Sequence, residues 1–401
     1  MKVALLLCFA VGTVLTQQPN PCQSPGQWEG REIRVDYSQK YEERRRLFYD
    51  ETNKRTRTIA EVEFNSTRDF YDVLDIYSTN QRYSINMRTR QCNVSTIDRP
   101  FRYRGVHPNA KFEQLVSLGL TGFPGESIQL AIFSANETDE FYTGTVTYPA
   151  CIPVTNIHIT QKYGFEHSDY FDITAGISDP MAFVPPQECT KSRRNATSVN
   201  TPHIDMKAAI LLCLAIGAVL GQIPTPCLSP KQWEGREIRV DYSQKYEERR
   251  RLFYDETNLR THTMAEVELN STREFYDVIM LFKERKMYSL NRRTQQCNVT
   301  DIEPDRSFHY RGVHPNARFE GIVSLGAAGF PGENIDVEIF SANETSEYYT
   351  GLVTSPGCIP VNNYHVSQKY GFEHSNYFDI TIGITDPEAF VPPPNCKAPP
   401  S

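Results

Sequence analysis

Apolar and polar residues alternate with a period of two through most of the chain. Ile33, Val35 and Tyr37 alternate with Glu32, Arg34 and Asp36, the pattern of a strand with one buried face. Leu47–Tyr49 predicts a short second strand, and Asp50–Asn53 supplies turn-forming residues. Arg55, Arg57 and Ile59 alternate with small residues and lead into Val62 and Phe64. Phe70–Tyr77 is a denser apolar run; beyond a turn at Ser78–Gln81 come Tyr83, Ile85 and Met87. Together these segments predict an antiparallel meander of about five strands. Asp98–Gly125 reads as loop, with Pro100, Pro108 and Pro124, and with Gly119, Gly122 and Gly125 spaced three apart. Strand patterns return at Ile128–Phe133, Phe141–Thr147, Ile157–Thr160 and Tyr170–Ile177. After Asp179-Pro180 a short helical turn is expected over Ala182–Val184, stopped by Pro185-Pro186. No segment carries a long 3.6-residue stripe. The expectation is a mainly β unit, a sandwich or half-open barrel with little helix.

That unit occurs twice. Gln27–Asn53 recurs letter for letter as Gln232–Asn258, and a repeat of this length is a whole domain rather than a solenoid turn. The leader recurs as well: Met1–Thr16 has a lysine, an apolar run and a small-residue exit, and Met206–Gly221 resembles it closely. Each reads as a secretory signal peptide, too short to span a bilayer. The expected organisation is a signal peptide at 1–16, a first domain at 17–190, a polar linker at 191–205, an internal signal-like segment at 206–221 and a second domain at 222–401. A signal sequence has no folding role inside a chain, so the simpler reading is two neighbouring genes joined. The alternative is a true two-domain precursor, cut at the junction near the Lys191–Arg194 run.

Four cysteines remain in each unit once the leaders are set aside: Cys22, Cys92, Cys151 and Cys189, then Cys227, Cys297, Cys358 and Cys396. An even count behind a secretion signal predicts two disulfides per unit, with three possible pairings. Asn-x-Ser/Thr sequons stand at Asn65, Asn93, Asn136, Asn195, Asn270, Asn298 and Asn343, which predicts a glycoprotein with those segments at its surface. The net charge of −7 comes without a basic stripe, so nucleic acid is not an expected partner.

Catalytic patterns are missing. The recurrent histidines His107, His158 and His167, and then His314, His365 and His374, show no H-x-x-x-H or H-E-x-x-H spacing. There is no G-x-S-x-G elbow and no EF-hand loop. Asp172 and Asp179 are candidate oxygen donors, read more simply as solvated acids. Lys40–Arg46 reads as a solvated hairpin tip, or else as a docking patch for anionic headgroups.

The residues resemble the ependymin family. Pro21-Cys22 and Gln27–Gly30 carry the resemblance near the start, with Gln91-Cys92 and Cys151–Val154 further on and the closing run Tyr170–Pro186 as its most specific element. The second copy repeats these at Pro226-Cys227, Gln232–Gly235, Gln296-Cys297, Cys358–Val361 and Tyr377–Pro393. A lipocalin G-x-W is imitated by Gly26–Trp28, but Lys231 replaces the glycine in the second copy.

The resemblance implies secreted, extracellular and partly lysosomal glycoproteins without enzymatic activity. It also implies two stacked antiparallel sheets around an apolar pocket, a lipid or other amphipathic ligand, calcium binding, matrix adhesion and a homodimer. The disulfides it implies are Cys22–Cys151, Cys92–Cys189, Cys227–Cys358 and Cys297–Cys396. A third bridge of some members has no cysteines here. Combined with the alternation of Tyr, Phe and Ile, it nominates Val35, Tyr37, Phe48, Leu74, Ile76, Tyr83, Ile85, Ile132, Phe141 and Phe171 as pocket residues. A purely structural adhesion protein, dependent on calcium and glycans, is the competing expectation.

Overall fold

The structure, a computed structural model, describes residues 18–36, 41–64, 67–123, 125–138, 140–160, 164–190, 223–241, 246–269, 272–304, 306–330, 332–343, 347–367 and 371–396. Both leaders, the linker 191–205 and the residues Tyr37, Asn65, Asn195 and Asn270 lie outside this set.

The chain is mainly β, as the period-two pattern predicts. The first copy contains β1 (Gln27–Asp36), β2 (Tyr41–Asp50), β3 (Arg55–Phe64), β4 (Thr67–Ile76), β5 (Gln81–Asn86), β6 (Cys92–Thr96), β7 (Lys111–Gly119), β8 (Ser127–Asn136), β9 (Glu140–Thr147), β10 (Pro153–Thr160) and β11 (Gly164–Ala175), then the short helix α1 (Gln187–Thr190). The second copy repeats the series as β12 (Gln232–Asp241), β13 (Tyr246–Asp255), β14 (Arg260–Leu269), β15 (Thr272–Leu281), β16 (Lys286–Asn291), β17 (Cys297–Asp301), β18 (Arg318–Ala328), β19 (Asn334–Asn343), β20 (Glu347–Thr354), β21 (Pro360–Ser367) and β22 (Gly371–Ile382).

Pairing runs unbroken across each copy. In the first, β6 to β1 form a meander, β1 then pairs with β11, and β11, β10, β9, β8 and β7 follow, all antiparallel. The two halves expected as separate sheets are therefore joined through β1 and β11 into one ladder that does not close into a barrel. The joint is kinked. Glu29 faces Thr174 while Arg31 faces Phe171, and the extra residue, Asp172, has φ 51°, the geometry of a bulge. Opposite it stands Gly30, where a Cβ would lie 2.9 Å from Ile173 and 3.0 Å from the Phe171 carbonyl oxygen. Only glycine fits that close approach. Gly235 and Asp379 repeat the arrangement.

The two copies share a core. Val116, Leu118, Ile128, Leu130, Ile132, Val154 and Phe171 pack against Val323, Leu325, Ile335, Val337, Leu352, Val361 and Phe378. At the rim of this seam Ile173 pairs with Ala327, and Leu120 pairs with Ile380. The Ser117 amide donates to Asp379 at 2.8 Å and the Ser324 amide to Asp172 at 2.9 Å. These matched contacts relate the copies by a local twofold. The face-to-face stacking of sheets thus takes place between the copies.

A second core anchors each copy on the other face of the ladder. Trp28 is fully buried, donates to Ser24 Oγ at 3.1 Å, and packs against Tyr49 and Tyr170. Phe101, from the segment ahead of β7, stacks on Tyr49. Trp233, Ser229, Tyr254, Tyr377 and Phe308 repeat the set.

Several local expectations are corrected. The short strand at Leu47–Tyr49 is the end of the ten-residue β2, so Tyr41–Arg46 is strand rather than hairpin tip. The stretch Asp98–Gly125 contains β7. The last strand starts at Gly164, not Tyr170. Pro180–Phe183 forms turns, and the one helix among the described residues of the first copy lies after Pro186 rather than before it.

Four disulfides close within the copies: Cys22–Cys151, Cys92–Cys189, Cys227–Cys358 and Cys297–Cys396. The first spans 129 residues of chain, which gives about 4–5 kcal/mol in the chain-entropy account. Replacing both Cys22 and Cys151 with serine is expected to lower stability by up to that amount. Denaturant unfolding of the variant under non-reducing conditions checks it.

Candidate ligand-binding face

Cross-strand register builds one row on the outer half of the ladder. Phe48 on β2 faces Arg57 on β3, Arg57 faces Leu74 on β4, and Leu74 faces Tyr83 on β5. Residues directly opposite share a face, so four side chains line up across four strands. Phe48 and Leu74 are buried, and Ile59, Ile76 and Tyr83 pack around them.

What covers this row is the closing run itself. Ala182 and Phe183 lie on Phe48 and Leu74, with Ile177 beside them. The cap is latched by polar contacts at its centre: Arg57 grips Asp72 through two hydrogen bonds of 2.8 and 2.6 Å and donates a third to the Ala182 carbonyl at 2.9 Å. The Arg55 guanidinium sits 4.3 Å from the Phe183 ring centroid, within cation–π range. The far end of the cap is tied down by Cys92–Cys189. Met181 and Val184 on its outer side are exposed.

An open recess of about 440 Å³ adjoins the cap, lined by Thr52, Asn53, Lys54, Arg55, Ile76 and Ser78. Ile76 belongs both to this recess and to the apolar cluster; Arg55 at its rim is ion-paired with Asp50 at 2.7 Å, so Lys54 is the cation that borders the apolar floor. In the second copy Phe253, Ala389 and Phe390 repeat the capped cluster, but His262 stands for Arg57 and Leu259 for Lys54. His262 bonds Asp277 at 2.6 Å and stacks on Phe253.

The nominated pocket residues therefore separate into groups. Phe48, Leu74, Ile76 and Tyr83 meet under the cap. Ile85 is buried opposite Asp72, and Val35 is buried opposite His167. Ile132 and Phe171 belong to the seam between copies. Phe141 lines a small cleft there, with about 70 Å³ of room, enough for a water or two. Tyr37 is outside the described residues. Arg57, Lys54 and the cap residues were not nominated, although the strand alternation and the identity of the closing run point to them.

Charged groups are buried on the opposite face of β1 and β2. Arg45 grips Glu32 bidentately at 2.6 and 2.9 Å, and Arg104 Nη1 lies 3.7 Å from the same carboxylate. Burial on its own raises the Glu32 pKa. The charges of Arg45 and Arg104, with the Arg45 hydrogen bonds, outweigh it and hold the carboxyl at about 2. Glu237, Arg250 and Arg311 reproduce the cluster. Arg45 is thus an interior ion-pair partner rather than a solvated headgroup contact.

Of the sequons, Asn93, Asn136, Asn298 and Asn343 are exposed, while Asn65, Asn195 and Asn270 fall outside the described residues. His107 and His158 both meet Glu140. His167 and His374 meet at the seam, with ring centroids 4.8 Å apart. Among the described residues no group of three or more His, Cys, Asp or Glu side chains is placed to hold a metal ion. Asp172 is taken by Arg31 and the Ser324 amide, and Asp179 caps the Met181 amide. Among the described residues no helix is long and apolar enough to cross a membrane.

Comparison with known proteins agrees with the repeat. The mammalian ependymin-related protein 1 of Mus musculus is 31% identical over 193 residues, a match covering 47% of this chain and 84% of the mouse protein. Ependymin-2 of Oncorhynchus mykiss is 26% identical over 194 residues, covering 47% and 86% respectively. Among solved structures, an uncharacterized conserved protein from Thermus thermophilus aligns at 10% identity and TM-score 0.28, over 42% of this chain and 89% of that one. Nothing is argued from so low a score. The ependymin family model matches residues 65–189 and again 270–396, more than half of the chain, and the chain accordingly belongs to the ependymin family.

Proposed function

We propose that this is a secreted, non-enzymatic glycoprotein that binds an anionic amphipathic ligand, with the first copy carrying the principal site. The supporting observation is the row Phe48–Arg57–Leu74–Tyr83, apolar but for Arg57, covered by a short cap and bordered by the recess with Lys54 and Arg55. An anionic headgroup in the recess would meet Lys54. An acyl chain would lie along the row in place of the Ala182–Phe183 side chains. Displacing the cap exchanges one apolar contact for another, at about 25 cal/mol per Å² on either side. The work of opening is therefore mainly the loss of the Arg57 latch. Membership of the ependymin family supports secretion.

A fluorescent dansylated fatty acid, titrated against the full chain, tests the reading. Saturable binding is expected, and Lys54→Glu is expected to weaken it about five- to tenfold, the effect of reversing one charge beside an anion. The matching Leu259→Glu in the second copy should change little. A probe that never saturates, or that ignores the Lys54 substitution, sinks the proposal.

A further inference from the structure

The seam joins two copies that are not identical, and the differences between them meet across it. Asp169 of the first copy corresponds to Asn376 of the second, Ile157 to Tyr364, Thr145 to Leu352 and Gln114 to Gly321. Tyr364, present only in the second copy, donates to Asp169 Oδ2 at 2.5 Å, and Asp169 is the carboxylate present only in the first. The same tyrosine lies parallel to the His374 ring at 4.3 Å and within 3.2 Å of the His167 ring nitrogens. All four residues are buried. Gln114, with glycine as its counterpart, accepts from Arg236 of the second copy at 2.5 Å.

The other side of the local twofold has the reverse combination. There Ile157 and Thr145 face Asn376, and the 70 Å³ cleft remains. On the matching side Tyr364 and Leu352 stand in place of Ile157 and Thr145, Leu352 in the shared core and Tyr364 bonded to Asp169.

We propose that the two copies are differentiated to pair with each other, so that the partner surface recognised by the first copy is the second copy and not another first copy. Two first copies would place Asp169 opposite Ile157 on both sides. Each buried carboxylate would then lose its tyrosine donor and keep the His167 ring of its own copy, 3.5 Å away, and a buried carboxylate stripped of a hydrogen-bond donor is disfavoured. Two second copies would bring a Tyr364 to both sides with no carboxylate to receive it, and Gly321 would offer Arg236 no side-chain acceptor. Selectivity thus comes as much from the mismatch of the wrong pair as from the fit of the right one. The pairing holds whether the copies stay in one chain or are separated at Lys191–Arg194.

The test uses the full chain with a specific protease site placed within 191–205 and cut after purification, the association of the two halves being read by native mass spectrometry over a dilution series. The double variant Tyr364→Ile with Asn376→Asp makes both sides of the seam resemble the first copy. Its halves are expected to separate at a concentration roughly tenfold or more above that of the natural seam. Adding Ile157→Tyr and Asp169→Asn moves the complementary set to the opposite copies and is expected to restore association to within about threefold. The four-residue exchange also separates lost pairing from lost folding. A double variant that holds together as tightly as the natural seam overturns the proposal, and so does an exchange that fails to restore it.

Discussion

Replacing Glu32 with glutamine is expected to cost about 3–5 kcal/mol of stability, the range for breaking one partner of a buried ion pair. The carboxylate is 1% exposed and receives the fork of Arg45 while Arg104 stands close by. Glutamine keeps the shape and removes the charge, which leaves the buried guanidiniums of Arg45 and Arg104 with Glu43, 3.3 Å from Arg45, as the remaining carboxylate. Removing both ends of the pair with Glu32→Leu and Arg45→Met should cost less than the sum of the single changes, because neither half of the Glu32–Arg45 fork is then buried without the other. Urea unfolding of the three variants decides between these outcomes. Equal losses for single and double variants would show that packing, not charge, is what the cluster supplies. The pH dependence carries the same information. The Glu32 carboxyl lies at about 2 in the folded protein against an ordinary 4.5, and Glu237 behaves alike. A depressed carboxyl contributes stability that is complete above about pH 4.5 and is lost as pH falls towards 2, roughly 3 kcal/mol per copy.

A separate loss is expected at higher pH, from the seam. His374 is fully buried at the seam, with Asn376 of its own copy beside its ring. Burial, assisted by the neighbouring His167, pushes its pKa down from 6.5 to about 3, with Asp169 opposing the shift. The groups around it are His167 and Asp169 from the first copy and Tyr364 and Asn376 from its own. Because the folded value lies below the unfolded one, the unfolded chain takes up the proton first. Stability is then complete above pH 6.5 and declines as pH falls towards 3, by about 1.4 kcal/mol per unit. Between pH 7 and pH 5 the natural chain should lose about 2 kcal/mol, and His374→Phe should lose almost none of that increment. Denaturant midpoints at pH 7, 6 and 5 check it. A flat profile for the natural chain over this window would contradict the account. The histidine loss sets in between pH 6.5 and 4.5, ahead of the carboxylates, so the upper part of one acid titration reports His374 and the two contributions overlap only below pH 4.5.

The strands were legible because each buries one face, and alternation reports that directly. Where it failed, something interrupted the period. In β7 a shift of register between Phe112 and Gln114 changes which side chains point inward, so Leu115 is exposed while Val116 and Leu118 are buried. The segment then looks like loop among its glycines and prolines. In β2 the inward positions are charged: Glu43 and Arg45 occupy interior sites as an ion-paired set, and a run of charge reads as solvent-facing. Phe48, Leu74 and Tyr83, three of the residues expected in a pocket, share one face because they stand opposite one another in register through Arg57. Alternation tells which face a residue takes but not what covers it. For that reason Ile132 and Phe171 were assigned to the same pocket, although their cover is the other copy. The partnership of Asp169 with Tyr364 was invisible for the same reason.

An open ladder of eleven strands has two edges, and each edge is a template for strand addition and fibril growth. In the first copy these are β7 and β6. The inner one is partly occupied by the other copy, through the Leu120–Ile380 bridge and the bond from the Thr121 amide to the Ile380 carbonyl. The outer one is only five residues long, is pinned at Cys92, and carries Asn93 facing solvent. Its counterpart β17 is equally short, pinned at Cys297, and carries Asn298. A glycan on either asparagine would stand directly in the path of an incoming strand. The sequons at the ends of the ladder would then serve as guards against polymerisation, keeping a protein built largely of strands from becoming the seed of its own aggregate.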